Sequence, residues 1–123
     1  MEFTVVESLA DVEREVAAAS ARNQPVFLDF YADWCVDCIR MERTTFQDPR
    51  VIQAMSGVHL LKADVTANTS EHRDLMRAFN LFGPPAMVFF GSEGTELRHR
   101  RVVGYLNAER FLAHVEQTIG ASP

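Results

Sequence analysis

The segment VFLDFYADWCVDC at residues 26–38 joins an apolar run to two cysteines that are separated by two residues. The run at residues 26–31 is apolar, partly β-branched and aromatic, which is typical of a strand buried on both faces. From Cys35 to residue 46 the pattern becomes helical. We therefore expect Cys35 at the junction of a strand with a helix, and Cys38 one turn later on the same helix face.

The position of the two cysteines favours redox chemistry over a structural role. Free N–H groups and the dipole at a helix N-terminus stabilise a thiolate, so Cys35 is the expected nucleophile. Cys38 then attacks the mixed disulfide that forms at Cys35. A structural zinc site needs four ligands, and the four histidines show no ligand spacing. We predict no metal and no bound cofactor, only a redox-active Cys35–Cys38 disulfide.

Strand and helix patterns alternate along the chain, which predicts an α/β fold in a single domain over residues 1–123. Helix N-caps are expected at Ser8, Asp48, Ser70 and Asn107, of which Ser70 begins the fourth helix. The last two strands, joined by a tight turn, should add an antiparallel edge to a parallel core sheet with helices on both faces. The predicted strands lie at residues 3–6, 26–31, 58–65, 86–90 and 96–103, and the helices at residues 9–21, 35–46, 49–55, 70–79 and 108–119.

The composition excludes several classes of protein. Of the 123 residues, 17 are acidic and 12 are basic, a formal charge of −5, whereas a nucleic-acid-binding face needs an excess of positive charge. The longest uncharged stretch, residues 78–92, contains two glycines and two prolines and is too short to span a membrane. Residues 1–6 show no signal-peptide pattern, so we expect either a cytosolic protein or a piece of a longer exported one.

Several segments resemble one known family. LDFYADWCVDC at residues 28–38 resembles the active-site segment of thioredoxins, and GPPA at residues 83–86 resembles the cis-proline loop that faces their dithiol. A closer resemblance, to the C-terminal periplasmic domain of DsbD disulfide interchange proteins, covers nearly the whole chain. The resemblance implies a thioredoxin-like fold with a mixed central sheet flanked by helices. It is carried by YADWCV at 31–36, TFQDPRV at 45–51, DVTAN at 64–68 and VGYLNAERF at 103–111.

The same resemblance implies a middle carrier in an electron relay. In that family the domain takes electrons from a membrane-embedded partner domain and passes them to a second periplasmic domain. The final acceptors are disulfide isomerases and cytochrome c maturation proteins. This chain is then expected to be a periplasmic thiol–disulfide reductase, monomeric by itself, within a larger inner-membrane protein. Three alternatives stay open: a free cytosolic thioredoxin recycled by a flavoprotein reductase, a thioredoxin-fold binding or chaperone module, and a disulfide isomerase or oxidase.

Two acidic residues are candidate partners of the dithiol. Asp29 lies in the middle of the apolar strand, where a buried carboxylate is costly unless it is paired or protonated, so we expect its pKa to be raised. It is placed to accept the proton of Cys38, and a satisfied polar core residue is the alternative. Glu42 shares a helix face with Cys35 and Cys38. The resemblance implies that Glu42 tunes the cysteine, and a surface acid is the alternative.

Four further residues are candidates for binding a partner protein. Trp34 and Phe82 are expected to form an apolar rim around the dithiol, with core packing as the competing interpretation. The Gly-Pro-Pro sequence and the resemblance imply a cis bond at Pro85, beside a backbone that pairs with a bound substrate strand. Pro84, in the same loop, belongs to this predicted substrate-binding group. An ordinary strand-breaking proline is the alternative at Pro85.

The acidic residues around the dithiol predict a nucleophile that is slow to ionise. Asp29, Asp33, Asp37 and Glu42 place four acids near Cys35, and nearby anions raise the pKa of a thiol. We therefore expect the pKa of the Cys35 thiol to lie at or above the free value of about 8.5. Unwanted exchange would then be slow until a partner docks.

Overall fold

A computed structural model describes residues 1–120, and residues 121–123 of the predicted domain lie outside the described residues. Among residues 1–120, no helix is long and apolar enough to cross a membrane. The strands are β1 Thr4–Val6, β2 Val26–Tyr31, β3 His59–Asp64, β4 Ala86–Phe90 and β5 Val102–Val103. The helices are α1 Leu9–Ala21, α2 Val36–Arg43, α3 Pro49–Ala54, α4 Ser70–Ala78 and α5 Ala108–Thr118, with 3₁₀ helices at Thr45–Gln47 and Arg98–Arg100.

The strands form one mixed sheet in the order β1-β3-β2-β4-β5. β1, β3 and β2 are parallel, whereas β4 runs antiparallel to β2 and β5 runs antiparallel to β4. This confirms the predicted mixed sheet and its antiparallel addition. In the centre of the sheet, Asp29 of β2 lies between Lys62 of β3 and Met87 of β4.

Side-chain caps set three helix starts where the sequence predicts them. Ser8 accepts a hydrogen bond from the N–H of Asp11 at the start of α1. Asn107 accepts one from the N–H of Arg110 at the start of α5. Asp48 caps α3, whose first residue is a proline and therefore has no N–H to satisfy.

Two predicted helix boundaries are wrong. The helix predicted over residues 35–46 ends at Arg43, because Thr44 departs from helical geometry with φ −121° and ψ −73°. The N-cap of α4 is Thr69 rather than Ser70. Thr69 Oγ1 accepts from the N–H of His72 at 3.1 Å, and the N–H of Thr69 donates to His72 Nδ1 at 3.3 Å. This reciprocal pair satisfies two backbone donors at once, which favours a cap at residue 69.

The strand predicted over residues 96–103 is wrong for most of its length. Only Val102–Val103 pairs with β4, and Glu96 forms an isolated bridge with Phe90. The residues between them include the 3₁₀ helix Arg98–Arg100. The connection between the last two strands is therefore longer than the predicted tight turn.

Contacts of two arginines explain why this stretch is not an extended edge strand. Arg100 donates to Thr118 Oγ1 of α5 at 2.8 Å. Arg101 donates to both carboxylate oxygens of Glu96 and to the carbonyl oxygen of Phe79. These side chains bind distant parts of the chain instead of alternating on an exposed strand, and a local pattern contains no sign of such contacts.

Two apolar clusters, one on each face of the sheet, share β2. Val26, Leu28 and Phe30 pack with residues of α1 and α4, whereas Phe27 packs with residues of α3 and α5. Every residue of β2 is buried, as the apolar run predicts. The C-terminal end of this fully buried strand leads directly to Cys35, so the dithiol lies at the edge of a rigid core.

Candidate active site

The dithiol lies where β2 ends and α2 begins. Cys35 is the N-cap residue of α2, and its Sγ accepts a hydrogen bond from the N–H of Cys38 at 3.2 Å. The two buried cysteines form a disulfide with a Cα–Cα distance of 5.2 Å. Cys38 Sγ lies 3.8 Å from the carbonyl oxygen of Phe30, near the end of β2. The start of α2 thus directs an N–H group at the Cys35 sulfur, the arrangement that stabilises a thiolate.

Asp29 is a buried carboxyl group in the middle of β2. Burial raises its pKa to about 8, against the opposing attraction of the Lys62 ammonium and with a further upward push from Glu42. At neutral pH the carboxyl group is therefore mostly protonated, in agreement with the raised pKa that its sequence context predicts. The next residue, Phe30, carries the carbonyl that lies beside Cys38 Sγ.

Glu42 forms an ion pair with Lys62 across the space between α2 and β3, and both side chains are partly buried. Lys62 is the register partner of Asp29, and its Nζ lies 4.2 Å from the centroid of the Tyr31 ring. Sequence reasoning missed Lys62. A signal was present, because the only lysine of the chain lies inside a strand pattern.

The four acids predicted near Cys35 carry less net negative charge than the sequence alone suggests. Asp29 is mostly neutral at pH 7, and Glu42 is held in an ion pair. Asp33 accepts a hydrogen bond from the hydroxyl of Tyr31 at 2.9 Å. Burial removes the charge of Asp29, and the Lys62 ammonium balances the charge of Glu42; neither effect is visible in the local sequence.

Four exposed apolar side chains flank the dithiol and the loop before β4, and we call them the apolar rim. Trp34 is 59% exposed and Phe82 is fully exposed, so neither packs in the core. Sequence reasoning missed the other two members, Val36 and Val103, which are 80% and 74% exposed. Val36 directly follows Cys35, and that adjacency was the available signal. Val103 had none, because its place depends on pairing between β4 and β5.

The loop before β4 lies beside the segment that carries the dithiol. The Pro84–Pro85 peptide bond is cis, as predicted. Ala86, the next residue, pairs with Phe30 of β2, and the N–H of Gly104 donates to the Pro85 carbonyl at 3.3 Å. The loop is therefore held between the end of β2 and the end of β5, with both prolines partly exposed.

Comparison with known proteins places this site in a family. A family model described as thioredoxin-like matches residues 7–92. The fold is similar to the crystal structures of the Neisseria meningitidis DsbD C-terminal domain, with a TM-score of 0.78 and 34% identity for the oxidised form and 0.79 and 33% for the reduced form. Each comparison covers 94% of this chain and 99% of the solved one. The chain belongs to the DsbD C-terminal domains of the thioredoxin-like family.

In this DsbD-type domain the candidate redox group is the Cys35–Cys38 disulfide. Thiol:disulfide interchange protein DsbD of Ralstonia nicotianae is 49% identical over 120 residues, which are 98% of this chain and 20% of that protein. The chain thus spans about a fifth of the length of this relative. Within residues 1–120, no group of three or more His, Cys, Asp or Glu side chains is arranged to hold a metal ion.

Proposed function

We propose that this DsbD-type domain relays two electrons at a time by dithiol–disulfide exchange. The electrons come from a membrane-embedded partner domain and pass to thiol–disulfide proteins of the periplasm, with residues 1–123 acting as a single domain. The observation that carries the proposal is the position of Cys35 Sγ at the N-terminus of α2. This atom forms a disulfide with Cys38 and accepts a hydrogen bond from the N–H of Cys38. The similarity to much longer DsbD proteins supports a donor and a first acceptor within the same polypeptide.

The exchange proceeds in two substitution steps at sulfur. The Cys35 thiolate attacks one sulfur of the acceptor disulfide, and the other acceptor sulfur leaves as a thiolate. Cys38 then loses its proton and attacks Cys35 Sγ, which closes the intramolecular disulfide and releases the second acceptor sulfur. The acceptor gains the two electrons that the domain loses, and its thiolates take up protons. Reduction of the domain by its donor follows the same steps in reverse.

Asp29 is the proposed proton acceptor and donor for Cys38. As a carboxylate it accepts the proton when Cys38 attacks, and as a carboxylic acid it returns a proton when Cys38 leaves during reduction. A pKa of about 8 suits both directions near neutral pH. Glu42 and Lys62 act on this exchange through their opposing influence on the Asp29 pKa.

Partner binding belongs to the apolar rim and to the loop before β4. The exposed Trp34 and Phe82 side chains supply apolar contact around the dithiol. An extended segment of the partner lies along Pro84 and Pro85, in the manner of an added strand. Because proline has no N–H, Pro84 contributes only a carbonyl acceptor to this pairing.

The test is the reduction potential of the Cys35–Cys38 pair, equilibrated against a dithiol–disulfide buffer and measured by thiol trapping. We expect about −270 mV or slightly higher, because thioredoxin donates electrons at about −270 mV. A value near −120 mV, which is that of a strong oxidant, contradicts the relay and favours an oxidase.

Two variants distinguish the relay from the other candidate functions. Cys35→Ala should abolish exchange and keep partner binding, whereas retained activity would indicate a binding or chaperone module. Cys38→Ala should accumulate a mixed disulfide at Cys35, because the resolving sulfur is gone. Rapid reduction of the wild-type domain by thioredoxin reductase would instead indicate a free thioredoxin.

A further inference from the structure

Thr66, in the loop after β3, has all three of its polar groups in hydrogen bonds. Its N–H donates to Asp64 Oδ1 at 3.0 Å, and its hydroxyl donates to the same oxygen. Its Oγ1 also accepts from the N–H of Asp33 at 2.9 Å. Its carbonyl oxygen accepts from Trp34 Nε1 at 3.1 Å. One half-buried residue therefore holds two consecutive residues that lie 32 and 33 positions away in the chain.

Both residues held by Thr66 belong to the turn that leads into the dithiol. The N–H of Cys35 donates to the carbonyl of Ala32 at 3.1 Å and closes this turn, and Asp33 and Trp34 occupy its two central positions. Asp33 and Trp34 are exposed, so packing alone does not fix them. The contacts to Thr66 supply the constraint that packing leaves out.

Asp64 gives the Thr66 hydroxyl a fixed direction. Because the hydroxyl donates its only proton to Asp64 Oδ1, its lone pair is available for the N–H of Asp33. Tyr31 adds a further bond to the turn, since its hydroxyl donates to Asp33 Oδ1 at 2.9 Å. Hydrogen bonds from Thr66 to Asp64, from Asp33 to Thr66 and from Tyr31 to Asp33 thus join the end of β3 to the active-site turn.

We propose that Thr66 is a positioning residue that fixes Trp34 in the apolar rim, so that a partner protein meets a preorganised docking surface. The inference rests on the proposed function, because it assigns Trp34 to partner binding. Preorganisation lowers the cost of ordering a surface side chain on association. Thr66 therefore affects recognition of a protein disulfide more than the reactivity of the dithiol towards a small disulfide.

The test compares Thr66→Val, which keeps the shape and loses the hydroxyl, with Thr66→Ser, which keeps the hydroxyl. Trp34 is the only tryptophan of the chain, so fluorescence anisotropy reports its mobility without interference. Insulin serves as the protein disulfide and hydroxyethyl disulfide as the small one, with dithiothreitol as electron source. Thr66→Val keeps the carbonyl that binds Trp34 Nε1 but removes the hydroxyl that binds Asp64 and the N–H of Asp33, so the turn beside the indole is released. The variant should therefore lower the anisotropy and raise the KM for insulin about three- to tenfold, the effect of losing the hydrogen bond to the turn. The rate with hydroxyethyl disulfide should stay at the wild-type value, and Thr66→Ser should restore every readout.

Thr118→Val is the matched control. Thr118 lies in α5, is half-buried like Thr66, and its hydroxyl accepts a hydrogen bond from Arg100. This variant should leave the anisotropy and the KM unchanged. Wild-type anisotropy and KM in Thr66→Val would overturn the inference, as would an equal loss of rate with both disulfides. If the wild-type domain reduces neither disulfide, the proposed function fails, and the Trp34 anisotropy still decides whether Thr66 fixes the indole.

Discussion

Asp29 and Lys62 are register partners on neighbouring strands, and Glu42 pairs with the same ammonium from α2. Burial alone favours the protonated form of Asp29, and Lys62 opposes it. The ion pair with Glu42 supplies the ammonium with a counter-charge whether or not Asp29 is ionised. Asp29 is thereby free to exchange a proton while the surrounding charges stay in place.

The first prediction concerns Asp29→Asn. The unfolded chain releases the Asp29 proton near the ordinary pKa of 3.8, and the folded domain holds it up to about 8. Between these values the folded state binds more protons, so its free energy of unfolding falls as pH rises. Asp29→Asn removes this pH dependence of the free energy of unfolding. Measured by urea unfolding, the variant should therefore become increasingly stable relative to wild type between about pH 5 and about pH 8. Exchange by the variant should slow roughly a hundredfold, since an amide cannot shuttle the proton.

Two neighbouring variants are the controls for this titration. Glu42 raises the Asp29 pKa and Lys62 lowers it. Glu42→Gln should therefore move the upper midpoint of the pH dependence to lower pH, and Lys62→Met should move it to higher pH. Shifts of the same sign, or an unchanged slope in Asp29→Asn, would show that another group titrates in this range.

At the scale of elements, the segment before α5 holds helix α2. The Arg40 guanidinium lies 3.9 Å from the centroid of the Tyr105 ring. The N–H of Leu106 donates to Met41 Sδ at 3.3 Å. Thr45 Oγ1, just after α2, donates to the carbonyl of Leu106 at 2.6 Å. The segment at residues 103–111 thus holds α2, and the segment at residues 64–68 holds the turn that precedes the dithiol.

Thr45→Val tests how much the hydrogen bond from Thr45 to the Leu106 carbonyl contributes to the stability of the fold. Thr45 is fully buried, so its loss leaves the Leu106 carbonyl without its donor. The free energy of unfolding should fall by about 1–3 kcal/mol, measured by urea unfolding. The neighbouring Thr44 is exposed; its hydroxyl donates to the carbonyl of Arg40 and lies 3.4 Å from the Tyr105 hydroxyl. Because water can replace both contacts at an exposed site, Thr44→Val should change stability by only about 0.5 kcal/mol or less. Equal losses in the two variants would contradict the assignment.

Local patterns predicted the elements whose causes are local. The fully buried β2 and the caps Ser8, Asp48 and Asn107 are examples, because burial pattern and capping chemistry lie within a few residues. The dithiol at the start of α2 was predictable for the same reason. The features that were predicted wrongly or missed depend on distant partners. The strand predicted over residues 96–103 fails because Arg101 binds Glu96 and the Phe79 carbonyl. The roles of Lys62, Thr66 and Val103 depend on contacts with residues far away in the chain.

At the scale of the whole molecule, both apolar clusters pack against the same sheet. Phe27 and its neighbour Leu28 belong to different clusters although they are adjacent in β2. Loss of β2 therefore exposes both faces at once.

The last prediction is that both redox states unfold as one cooperative unit. Trp34 fluorescence and far-UV circular dichroism should give coincident urea transitions for each state, because β2 joins the two clusters. The disulfide closes a loop across a separation of only three residues. Loop entropy then makes the oxidised form more stable by about 2 kcal/mol or less. Two separate transitions would contradict the proposal of a single domain. A reduced form that is unfolded in buffer would contradict the proposed electron relay, because a relay has to remain folded while it holds electrons.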